Sequence, residues 1–82
     1  MIVRLPAKHA RDWQDRLGGD LGSTVVAESA RTITLDLPPA ALADFIEDAA
    51  LYATEMHGEW TAGVDYRPAA RRCLAAIAKA MP

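Results

Sequence analysis

Three groups of residues in this 82-residue chain have types and spacings that invite chemistry. His57, Glu59 and Asp65 offer one imidazole and two carboxylates within a short stretch, the donor types that hold a divalent cation. Their spacing follows no metal motif: there is no neighbouring second His, no Cys pair and no His-Glu-x-x-His, and His9 lies far away in the chain. His57 therefore reads as a helix-terminal cation, Glu59 and Asp65 read as loop or capping residues, and neither a metal nor another cofactor is expected. The single cysteine, Cys73, would need a neighbouring base to ionise it. It falls instead on an apolar helical stripe, where a thiol behaves as a small buried hydrophobe. Gly18-Gly19-Asp20-Leu21-Gly22 is glycine-rich enough to cradle a phosphate. However, it follows a helix and precedes a strand, the reverse of the order that such a loop needs. It reads as a hinge that ends the first helix. No acid, base and nucleophile form a coherent set, so the chain is expected to be non-catalytic.

Charge is the more informative pattern. The net charge of -2 conceals a segregation. Residues 1–31 are nearly balanced, residues 32–66 carry seven acids and no Lys or Arg, and residues 67–82 carry four bases and no acid. At about 100° per residue, Asp44, Asp48 and Glu55 share a narrow sector of the second helix, with Glu47 at its edge, Leu51 at its centre and Tyr52 beside it. Such a ring can act as an interface with a desolvated centre and a selective charged rim. The same residues would also suit a solvated face carrying one exposed Leu, or a helix that meets the third helix through salt bridges. On the third helix, Arg71, Arg72 and Lys79 share a sector beside Ala69, Ala76 and Ala80, a strip suited to close helix packing. A sequence pI of 5.5 is far below the basic character usual in nucleic-acid binders.

The elements that must position these groups follow from periodicity. At 82 residues the chain is one domain, 1–82. Leu, Ile, Val and Phe together supply only 17 residues and Ala another 17, so the core is thin and about 3–5 kcal/mol of net stability is expected. A strand over Met1–Leu5 precedes a helix from Pro6 to Leu17, with Ala10, Trp13 and Leu17 on its apolar side. Ser23–Glu28 and Arg31–Leu37 form a hairpin across Ser29-Ala30. Pro38-Pro39 stops the strand and opens a helix to about His57 with Gly58 as its cap; Leu42, Phe45, Ile46, Ala49, Ala53 and Met56 form its stripe. A loop with Trp60, as a packing lid or an exposed anchor, leads to a third helix from Pro68 to Ala80, whose apolar side is Ala70, Cys73, Leu74, Ile77 and Met81. The expected fold class is α+β, ordered β-α-β-β-α-α, a three-stranded sheet with its helices on one face. No uncharged run is longer than Leu37–Ala43, which is far short of the roughly 20 residues of a membrane span. No secretory leader is evident and one cysteine suits a reducing compartment, so a cytoplasmic location is expected.

The function expected is a small protein-binding module, a stoichiometric inhibitor or regulator of the antitoxin or phage anti-defence kind by analogy of size and charge alone. Its site would be Asp44, Glu47, Asp48, Leu51, Tyr52 and Glu55, with Glu59 and Trp60 from the following loop. Its partner would be another protein, in the sharpest form one that handles nucleic acid. The alternative, from another class, is a homodimeric nucleic-acid-binding regulator using Arg67, Arg71, Arg72 and Lys79. Self-association fits either reading, because the hairpin leaves an open edge and the sheet's outer face, read as Val25, Ala27, Thr32 and Thr34, is only weakly polar.

Overall fold

The computed structural model describes residues 1–55 and 62–82. Within them the order is β1 (Ile2–Pro6), α1 (Ala7–Trp13), β2 (Thr24–Glu28), β3 (Thr32–Asp36), α2 (Pro39–Thr54) and α3 (Arg67–Ala80). This is the expected β-α-β-β-α-α order. The three strands form one antiparallel sheet in the order β1-β3-β2. Alternation decides its faces: Val3, Leu5, Ile33 and Leu35 are buried, whereas Ile2 and Arg4 are exposed and Thr32, Thr34 and Asp36 half-buried. The helices cover the first set, and the core joins it to Ala10, Trp13, Leu37, Ala41, Phe45, Cys73 and Ile77. No helix among the described residues is long and apolar enough to cross a membrane.

The three proline starts fall within a residue of their expected places: Pro6 ends β1 and precedes α1, Pro39 opens α2, and α3 begins at Arg67, one residue before Pro68. The expected end of α2 at His57 and its Gly58 cap lie outside the described residues, as do Met56, Glu59 and Trp60. The first helix ends later than its glycines suggest. Gln14–Gly18 forms a wide π-helical turn, Gly19–Leu21 a tight 3-10 turn, and only Gly22, at φ 87°, reverses the chain. A π turn places residue i+5 rather than i+4 above residue i. Gly18 therefore lies over Trp13 and is buried, and Leu17 is carried off the apolar stripe to 38% exposure.

The hairpin turn is also shifted. Ser29 N–H donates to the Thr32 carbonyl at 2.8 Å and the two hydroxyls lie 2.9 Å apart, so Ala30 and Arg31 form the tip. A bulge between Val25 and Ala27 aligns Val25 with Leu35 and Ala27 with Thr34. Val25 consequently belongs to the helix-side face; of the four residues read as the outer face, Ala27, Thr32 and Thr34 remain there.

Helices α2 and α3 meet through small side chains, Ala49, Ala53 and Ala70, rather than through salt bridges. The strip of Ala69, Ala76 and Ala80 contributes less to packing: Ala69 is buried, Ala76 partly so, and Ala80 is exposed. Met81, placed with the apolar side of this helix, is 47% exposed because the helix has ended at Ala80.

Cys73 is fully buried, and its Sγ lies 3.6 Å from the Pro6 carbonyl oxygen that accepts its hydrogen. Burial pushes its pKa up to about 12. Because the folded value is raised, the stability it contributes is complete below the unfolded value of roughly 8.5 and is lost as pH rises towards the folded one. At pH 8 a thiol-reactive dye is therefore expected to label the native protein only as fast as it unfolds, and to label it at once in denaturant. Rapid labelling of the native state would show the thiol to be accessible.

Candidate protein-binding surface

The acids of α2 divide into two groups by geometry. Asp44 and Asp48 lie at the margin of the buried face, where α1 crosses it. Trp13 is completely buried, and its indole N–H donates to Asp44 Oδ2 at 2.9 Å, satisfying the polar end that a buried Trp carries into the core. Asp48 Oδ2 lies 3.3 Å from Arg16 Nη2 and 3.2 Å from His9 Nε2, with only 13% of the side chain exposed. Arg16 also donates to Asp12 at 2.8 Å and places its guanidinium 5.5 Å from the Tyr52 ring centre. Burial opposes the charge on Arg16, yet the hydrogen bond to Asp12 and the nearby carboxylates hold its pKa above the ordinary value. These contacts make Asp44 and Asp48 internal ties between the first two helices.

Tyr52 belongs to the same internal cluster. Its ring meets His9 at 4.9 Å and Tyr66 edge-on at 5.4 Å, and Lys8 Nζ lies 5.8 Å from the Tyr66 ring centre. Burial raises the Tyr66 pKa, with Asp12 adding to it. His9, completely buried, also lies beside Phe45 at 5.7 Å. Its Nε2 is within ion-pair distance of Asp48 but not aimed for a hydrogen bond, and neither ring nitrogen has a hydrogen-bond partner among the described residues. Sequence reasoning set His9 apart as an isolated imidazole. The signal was present in the helical period, for His9 stands four residues before Trp13 and seven before Arg16.

Glu47, Leu51 and Glu55 form the second group. All three are exposed, Leu51 by 41%, and neither carboxylate has a partner among the described residues. They lie at i, i+4 and i+8 on an outward stripe of α2. Glu59 and Trp60, expected beside them, fall outside the described residues.

The basic residues are dispersed. Arg67 is paired with Asp65 at 2.9 Å, and its backbone N–H donates to the same carboxylate at 3.1 Å, which holds the Asp65 pKa below the usual carboxylate range. Asp65 thus satisfies the first backbone donor of α3, while the cap position itself, Tyr66, contributes no side-chain hydrogen bond. Arg71 donates to the Ala53 carbonyl at 3.2 Å, satisfying a backbone acceptor near the end of α2. Arg72 and Lys79 are exposed, seven residues apart on one stripe, and have no ion-pair partner among the described residues. No protein-family model matches the chain, and no match is found among curated proteins or solved structures.

Proposed function

We propose that the protein is a non-catalytic binding module, an inhibitor or regulator that acts stoichiometrically by docking another protein on the outward stripe of α2. The observation that carries this reading is Leu51, exposed between two acids that the fold itself does not use. Trp13, His9 and Arg16 hold Asp44, Asp48 and Tyr52 inside, so the interaction surface contracts to Glu47, Leu51 and Glu55, with Glu59 and Trp60 adjoining in sequence. An apolar centre flanked by carboxylates selects a partner with an apolar contact rimmed by Lys or Arg. A protein that handles nucleic acid has such cationic surfaces, which is why we place the partner in that class. The alternative reading, nucleic acid held by Arg67, Arg71, Arg72 and Lys79, has less support because Arg67 and Arg71 have internal partners.

The test compares the wild type with the triple variant Glu47→Gln, Leu51→Ala, Glu55→Gln. All three positions are exposed, so the variant is expected to melt within about 0.5 kcal/mol per site of the wild type. A protein retained from lysate by the wild type, then purified, is expected to bind the variant at least tenfold more weakly in calorimetry. Equal binding by both would remove this surface. Salt-sensitive binding of a DNA duplex, abolished by Arg72→Gln with Lys79→Gln, would favour the alternative.

A further inference from the structure

We infer that the uncovered outer face of the sheet is the docking site for a second copy of this chain, packed face to face about a two-fold axis. The helices lie on the opposite face, so this surface is separate from the α2 stripe and the inference stands or falls without it. Thr24, Ala27, Thr32 and Thr34 give the face a small, uncharged centre. Arg4 projects from it on β1, opposite Thr34, and its guanidinium has no partner among the described residues. Asp36 stands diagonally across on β3, opposite Ile2, with the Met1 ammonium 3.8 Å from one carboxylate oxygen and half of its side chain still exposed.

Two complementarities identify the occupant as the same face of another molecule. The first is charge: a two-fold axis in the plane of the contact, midway between Arg4 and Asp36, brings Arg4 of each copy to Asp36 of the other, forming the pair twice. The second is apolar contact. Ile2, 63% exposed, and Thr34 occupy the other two corners of the near-square that Arg4 and Asp36 define on β1 and β3, so they lie close to the axis. The operation that exchanges the charges therefore sets Ile2 of one copy against Ile2 of the other. A face three strands wide and five residues long measures roughly 14 by 17 Å, smaller than a standard specific interface, so a weak dimer is expected, with half-association on the order of 100 μM.

Sedimentation equilibrium provides the test. The wild type is expected to pass from 8.8 kDa towards twice that mass as its concentration rises through this range. Arg4→Glu alone and Asp36→Arg alone, each shown by circular dichroism to be folded, are expected to stay at 8.8 kDa, because each places like charges opposite. The double variant R4E/D36R restores both pairs with their signs exchanged and is expected to regain the dimer, as is an equimolar mixture of the two single variants. A wild type that remains single at about 1 mM would overturn the inference. So would association that persists in both single variants, which would move the contact to the open edge of β2 or elsewhere, or a double variant that stays single. Should Asp36→Arg fail to fold, the Arg4→Glu chain mixed with wild type at high salt and low salt decides the charge pairing by itself: no change from the wild type's self-association would overturn it.

Discussion

Replacing Phe45 by alanine is expected to leave most of the chain unfolded at 25 °C. Phe45 is completely buried on α2, and its ring meets Trp13 edge-on at 4.9 Å, with His9 on another side at 5.7 Å. It is the single phenylalanine of the chain and one of the two largest fully buried side chains. Removing a buried Phe ring costs about 3–5 kcal/mol, through lost transfer energy and the cavity left behind. A core of this size supplies about the same amount in total. Urea titration followed by far-UV circular dichroism should therefore show no native baseline for Phe45→Ala, whereas Phe45→Leu, which keeps most of the volume, should retain a transition at lower urea. A cooperative Phe45→Ala protein close to wild-type stability would mean that Trp13 and α1 are not anchored through this ring. Leu51→Ala serves as the contrast, since an exposed Leu on the same helix is expected to cost no more than about 0.5 kcal/mol.

The same contrast explains which parts of the molecule were legible in the sequence. Period-two alternation in Ile33-Thr34-Leu35-Asp36 and the proline starts of the helices are local signals, and they led to the correct elements in the correct order. The acidic sector of α2 was located by angle alone, and angle assigns a residue to a helix side without revealing what packs against it. Asp44 and Asp48 share a side with Glu55, yet α1 crosses near the first two and leaves the third in solvent. Only the path of α1 separates them, and that path depends on contacts more than 30 residues apart in sequence. For the same reason Arg67 and Arg71 looked equivalent to Arg72 until a preceding carboxylate and the α2 backbone claimed them. Val25 changed faces because a single extra residue in an edge strand inverts every side chain beyond it, and no composition signal marks a bulge formed at Val25-Val26-Ala27.

Gly18→Ala and Gly19→Ala are expected to move stability in opposite directions, although the residues are adjacent and both have helical backbones, at φ -59° and -60°. Neither needs the left-handed region, so the conformational argument for glycine does not apply to either, and alanine should gain up to about 1 kcal/mol at each from helix propensity and a less flexible unfolded chain. Space decides between them. A Cβ on Gly19 would meet nothing within 4 Å. One on Gly18 would lie 2.8 Å from Trp13 Cζ3 and would collide with the Gln14 side-chain amide. The indole cannot retreat, because its N–H is held by Asp44 and Phe45 packs against it. Gln14 is held as well: its amide donates to the Ser23 carbonyl at 3.0 Å and accepts from the Ser23 hydroxyl at 2.6 Å, while Ser23 N–H donates to the Gly18 carbonyl at 2.8 Å. Overpacking of this kind costs roughly 1–3 kcal/mol, enough to exceed the propensity gain. The urea midpoint should thus fall for Gly18→Ala and rise for Gly19→Ala, with the slope of the transition unchanged in both. A rise for Gly18→Ala would show that the π turn relaxes to accept a methyl group, and would separate the wide turn from the burial of Trp13.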